Sequence, residues 1–148
     1  MKTEIKNYIT DALFELLKTE ELNNIKIVEL VKLSGISRTT FYNNFKNIDD
    51  VINYKINVII SDIKKIIKLN RLRNNDLKYL LIEILKYIVN NKYTFITIKD
   101  KLFFKFKESL DKEFNTYDYY IKSGIIINLC LLYIDNNFYI DLDKIKID

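Results

Sequence analysis

The sequence predicts an all-α protein, with a head of three short helices joined by one long helix to a helical body. Three observations predict it. The 148 residues contain no Pro and only two Gly, Gly35 and Gly124, too few turn formers for a sandwich or a barrel. Apolar residues make up 49% and charged residues 30%, which supports an ordinary core under a solvated surface. The apolar residues recur at three- and four-residue intervals over most of the chain, the period of a helix with one buried face. The same composition narrows the chemistry. His is absent and Cys130 is the single Cys, which excludes a Cys/His zinc site, a disulfide framework and any His-based triad. No acid pair, metal cluster or phosphate-cradling loop points to catalysis, so neither an enzyme nor a cofactor is expected.

Each element follows from its spacing. Ile5, Ile9, Ala12, Leu13 and Leu16 form one stripe and predict a first helix over Lys2–Lys18. The polar run Thr19–Asn24 ends it. A short second helix is expected over Glu29–Ser34, and a third segment over Ser37–Phe45. From Asp49 the period becomes long and strong, with Ile52, Ile56, Ile59, Ile60, Ile63 and Ile67 lining one face to about Leu69. Asn47 is its expected N-cap and Asp50 its N3 residue. Asn70–Asn75 is a polar, basic break. A fifth helix is expected over Asp76–Asn90, with Leu77, Leu80, Leu81, Ile84, Leu85 and Ile88 inward. A sixth covers Tyr93–Phe114, with Leu102, Phe103, Phe106, Leu110 and Phe114 in register. Asn115-Thr116 can cap a seventh, Tyr117–Asp135, which is apolar or small on nearly every side and is therefore expected to be buried, as such helices often are in an interface. The tail Asn136–Asp148 alternates apolar and acidic residues and is expected to be irregular. The head is thus 1–48 and the body 49–148.

Met1–Asp11 lacks the apolar stretch of an export signal. The longest apolar run, Ile125–Ile134, is far shorter than the roughly 20 residues that span a bilayer, so no membrane partner is expected. A cytoplasmic location is expected, with Cys130 reduced and buried. Net charge is +4 and evenly spread, with 11 Lys/Arg against 9 Asp/Glu in residues 1–70 and 13 against 11 in residues 71–148.

The most informative stretch is Ile25–Val51. Gly35 stands just past the second helix, where a left-handed residue closes the turn and only Gly adopts that conformation without cost. Ser37 can cap the next helix by accepting from a backbone N–H near Thr40. That helix is rich in hydrogen-bonding side chains, and its apolar side is Phe41 and Phe45 alone. Between Lys26 and Lys46, the cations Lys26, Lys32, Arg38 and Lys46 against Glu29 give a local +3. Hydroxyls and cations of this kind bond phosphates, while Arg and Asn match the major-groove edges of G and A. Turn chemistry alone fits equally an ordinary C-cap at Gly35 and an ordinary solvated face on this helix.

Residues 4–51 resemble the N-terminal domain of TetR-family (tetracycline-repressor-like) transcriptional regulators. The resemblance rests on Gly35-Ile36-Ser37-Arg38-Thr39-Thr40-Phe41-Tyr42-Asn43-Asn44-Phe45, which keeps the G-[VI]-S-x-x-T-F-Y-x-x-F core of the family signature. It implies a helix-turn-helix DNA-binding domain and a C-terminal dimerisation and ligand domain. By the same resemblance, Ser37, Thr40 and Tyr42 match positions that touch the DNA backbone. Arg38, Thr39 and Asn43 match positions that face base edges, and Lys46 stands where it can reach a phosphate. With Lys26, these residues form the expected DNA-binding set. The chain departs from the family at several positions. Lys26 replaces the usual capping Thr, Val31 and Ser34 two usual Ala, Asn44 the usual His, and Ile48 the usual Lys.

The resemblance further implies a homodimer formed by the last two long helices, with Tyr120, Gly124, Ile125, Asn128 and Leu132 at the interface. Gly124 beside Ser123 permits close helix approach, either across that interface or within one chain. Tyr79, Tyr87, Tyr93, Phe95, Phe103, Phe104, Phe106, Tyr117, Tyr119 and Tyr120 either line a pocket for a small apolar ligand or pack as ordinary core. The implied function is a homodimeric regulator, a repressor released from a near-palindromic operator on duplex DNA by a small molecule. A second reading, a TetR-like protein-interaction module without sequence-specific DNA binding, rests on the departures at Lys26 and Ile48.

Overall fold

The computed structural model describes residues 2–73, 76–113, 117–137 and 139, and among them the chain forms seven helices and no strand. They are α1 (Lys2–Leu16), α2 (Ile27–Ser34), α3 (Arg38–Tyr42), α4 (Ile48–Leu72), α5 (Leu77–Asn90), α6 (Lys92–Glu113) and α7 (Tyr117–Asp135). The chain divides into two compact units, Met1–Val58 and Ile59–Asp148.

In the first unit α1 packs on α2, and α2 on α3. Ile9, Ala12 and Leu13 of α1 are buried with Leu30, Val31, Phe41, Phe45, Val51, Ile52 and Ile56. Each large side chain taken out of water contributes about 1.5–3 kcal/mol. Helix α1 ends two residues before the spacing predicts, because the Lys18 N–H bonds to Glu15 O and the Thr19 N–H to Leu16 O, tightening the last turn. Helix α2 begins two residues early, at Ile27, because the Glu29 carboxylate accepts from the Lys26 N–H at 2.9 Å.

The start of α4 belongs physically to this unit. Asn47 caps it by accepting from the Asp50 N–H at 2.9 Å, and Asp50 accepts from the Lys46 N–H at 3.0 Å. The Phe45 and Tyr54 rings meet edge to face at 5.7 Å. The Lys6 ammonium lies over both, 5.4 and 5.3 Å from their centroids. The Tyr54 hydroxyl donates to Asn7 Oδ1 at 3.0 Å. One latch therefore joins α1, the chain leaving α3 and α4. It explains why the compact unit runs to Val58, although the change of hydrophobic pattern falls at 48/49.

In the second unit α5 packs on α6 and α7, and α6 on α7. Asp76 caps α5 by accepting from the Tyr79 N–H at 2.9 Å. Of its expected stripe, Leu80, Leu81, Ile84, Leu85 and Ile88 are buried, while Leu77 in the first turn is half-buried. Helix α6 buries Phe95, Ile98, Leu102 and Phe106, so its inward stripe starts earlier than expected and leaves Phe103 half-buried. Phe114 and the Leu110 side chain lie outside the described residues. The Tyr87 hydroxyl donates to Asp62 at 3.1 Å and ties α5 to α4. An exposed Lys99–Asp135 pair at 3.0 Å joins α6 to α7 and adds little stability.

Side-chain exposure bears on two expectations. Within the single chain and among the described residues, helix α7 is not buried on all sides, since Asn128 is exposed and Leu132 is 53% exposed, as an interface position would be. The aromatic residues with described side chains differ widely in exposure. Tyr79, Tyr93 and Phe104 are exposed, Phe95 and Phe106 are buried, and Tyr87 and Phe103 are half-buried. The side chains of Tyr117, Tyr119 and Tyr120 lie outside the described residues. These residues are divided among helix faces because their spacing does not follow one helical phase. No helix among the described residues is long and apolar enough to cross a membrane.

Cys130 is buried as expected, and burial pushes its thiol up to about 12. Burial, then the charge of Asp62, also raises the Tyr87 hydroxyl well above the ordinary tyrosine range. In both cases the fold favours the neutral form. That stability is fully present below the unfolded-chain pKa, about 8.5 for Cys and 10 for Tyr, and is lost as pH rises toward the folded value. The urea midpoint should therefore fall steadily from pH 9 to 12. Cys130→Ala should flatten the first part of that decline, and an unchanged slope would refute the assignment.

Candidate nucleic-acid interface

Helix α2 ends because Gly35 turns left-handed, at φ 69° and ψ 21°. That conformation lets two N–H groups reach back: Ile36 to Val31 O at 3.1 Å and Gly35 to Lys32 O at 3.4 Å. Both bonds satisfy carbonyls that the helix end leaves open, the pattern of a Schellman turn. Ser34, in place of Ala, returns its hydroxyl to Leu30 O at 2.8 Å and so leaves no polar group unpaired.

Ser37 then starts α3. Its side chain accepts from the Thr40 N–H at 3.0 Å, as the sequence predicts, and its hydroxyl also pairs with that of Thr40 at 2.8 Å. The helix is only five residues long and ends at Tyr42, shorter than the expected Ser37–Phe45. Asn44 and Phe45 both send their N–H to Phe41 O at 2.9 Å, and the Asn44 amide donates to Thr40 O at 2.8 Å. These bonds curl the chain off the helix. Asn44 Oδ1 is left buried without a partner among the described residues.

The two sides of α3 are chemically opposite. Phe41 and Phe45 are buried, with ring centroids 6.1 Å apart. Arg38, Thr39, Tyr42 and Asn43, spaced i, i+1, i+4 and i+5, are exposed on the other side, Tyr42 by 51%. Thr40 is half-buried, while Ser37, Lys26 and Lys46 are exposed.

An open groove of about 540 Å³ runs beside α3 and brings Arg38 together with Lys26 and Val28 of the α2 start and with Asn47, Ile48 and Asp49 of the α4 start. Two of the departures meet here. Lys26 occupies the N-cap position of α2 but has no acceptor to offer, so the Glu29 N–H bonds to Lys26 O at 3.0 Å instead. Ile48 places an apolar wall where the resemblance leads one to expect a cation. Val28 and Leu33, not singled out by the sequence reading, are large exposed apolar residues of α2. Both lie out of phase with the Leu30–Val31 core positions, which is the signal that would have found them. Among the described residues no cluster of three or more His, Cys, Asp or Glu is placed to hold a metal ion.

A Cβ added at Gly35 would meet nothing within 4 Å, so Gly35→Ala carries conformational strain without a clash. It should lower unfolding free energy by about 1–2 kcal/mol. Ser37→Ala, which removes the cap, should cost about 1 kcal/mol. Urea unfolding measures both, and a neutral Gly35→Ala would contradict the left-handed turn.

No known protein-family model and no curated protein matches the chain.

Proposed function

We propose that the protein is a cytoplasmic, homodimeric TetR-like regulator that binds duplex DNA through α3. The observation that carries the proposal is the two-sided α3: Phe41 and Phe45 are locked into the core, and Arg38, Thr39, Tyr42 and Asn43 stand exposed behind a Gly35 turn. A helix held this way can enter a major groove about 12 Å wide while its apolar side stays dry. Lys26, Lys32, Arg38 and Lys46 are all exposed around it and supply the positive charge that phosphates attract. Ser37, Thr40 and Tyr42 offer hydroxyls to phosphates, and Arg38, Thr39 and Asn43 offer contacts to base edges.

A dimer would set two heads on half-sites roughly 34–36 Å apart, one turn of DNA. Support for an interface on α7 comes from Gly124, Asn128 and Leu132, which recur every four residues; Asn128 and Leu132 are exposed in the single chain. A Cβ at Gly124 would meet nothing within 4 Å among the described residues. The Tyr120 and Ile125 side chains lie outside the described residues. Release of DNA by a small apolar ligand, and repression as the sign of regulation, are carried by the resemblance alone. Ligand and DNA would then oppose each other through linkage.

Selection from random duplex DNA tests the proposal. A near-palindromic consensus is expected, and salt-dependent binding without an enriched sequence would instead favour the protein-interaction reading. Tyr42→Phe should weaken all sites alike, by about 2–10-fold, the worth of one phosphate hydrogen bond. Gly124→Leu should leave the monomer folded and shift light scattering from dimer to monomer. An unchanged dimer would place the interface elsewhere.

A further inference from the structure

The side chains of α3 and its flanks differ in whether they are already engaged. Ser37 and Thr40 hold each other and the α3 N-terminus. Asn44 is turned back onto Thr40 O, and Phe41 is buried. Arg38, Thr39, Tyr42 and Asn43 are exposed, and no side-chain hydrogen bond or ion pair holds any of them among the described residues. Of these four, two carry groups that identify a base unaided. The Arg38 guanidinium presents paired donors, the complement of the O6 and N7 acceptors of guanine. The Asn43 amide presents one donor and one acceptor, the complement of adenine N7 and N6. Thr39 and Tyr42 each have a single hydroxyl and cannot make a bidentate pair.

Their separation is set by the backbone. Asn43 is the C-cap but keeps helical dihedrals, φ −72° and ψ −15°, so the helical rise holds through it. Five residues at 1.5 Å each place Arg38 and Asn43 about 7.5 Å apart along the axis. Two base-pair steps of 3.4 Å span about 6.8 Å. We infer that each half-site contains a guanine read by Arg38 and an adenine read by Asn43, with one base pair between them. The inference rests on the proposal that α3 binds DNA, and it adds the identity and spacing of the bases.

The test compares sequences selected from random duplexes by the wild-type protein and by Arg38→Ala, Arg38→Lys and Asn43→Ala. All three substitutions are at exposed positions, and circular dichroism checks that each variant remains folded. The wild type should enrich a G and an A two positions apart in each half-site. Arg38→Ala should lower the preference for the G by about 10-fold or more and leave the A, and Asn43→Ala should do the reverse. Arg38→Lys keeps the charge and can still donate to guanine but loses the planar fork, so it should weaken the G preference less than Arg38→Ala does. If Arg38 instead holds a phosphate, Arg38→Ala will weaken all sites alike and leave the consensus unchanged, which overturns the inference. A palindromic consensus without this pair also overturns it and leaves the DNA-binding proposal standing. Binding with no enriched sequence overturns that proposal and the inference with it.

Discussion

A five-residue helix has no stability of its own, since nucleation alone costs more than one turn of hydrogen bonds returns. Everything α3 displays therefore depends on the burial of Phe41 and Phe45. Those two rings fix the rotation of the helix about its axis, and the rotation decides that Arg38, Thr39, Tyr42 and Asn43 face outward. Gly35 fixes the direction of approach and Ser37 the first turn, so a few side-chain and backbone contacts set a whole exposed polar surface.

Phe45 has a second role beyond burial. It carries Tyr54 against its edge, and Lys6 lies over both rings, so the exit from α3 is held from two directions. A cation over an aromatic face is worth about 0.5–1 kcal/mol at a partly solvated site. Its value here is positional: it joins segments 39 and 9 residues from Phe45 in sequence, Lys6 and Tyr54, without needing a longer helix or a larger core.

The second unit shows a different economy. Its stability comes from long apolar stripes on α5 and α6, with Tyr87 and Cys130 kept neutral inside. Exposed polar ties such as Lys99–Asp135 orient its helices more than they stabilise them. Among the described residues, Asn128 and Leu132 of α7 stand exposed on one face of this unit.

Periodicity and turn chemistry made much of this legible. The bounds of α7, the Asn47 and Ser37 caps, the Gly35 turn and the inward stripe of α5 all follow from residues close together in the chain, because helical phase and capping are local properties. The ends of α1 and α2 were less legible, since they turn on single hydrogen bonds from Lys18 and to Glu29. The scatter of Tyr79, Tyr93 and Phe104 onto the surface was not legible at all, because composition counts aromatics without giving their phase against a neighbour. By itself the sequence determined an all-helical chain and the polar character of Ser37–Asn44. Only the tertiary structure decided which of those polar groups are already engaged, as Ser37 is with Thr40, and which are free among the described residues, as Arg38 and Asn43 are. That difference depends on distances between side chains once the backbone has turned, which no residue type specifies alone.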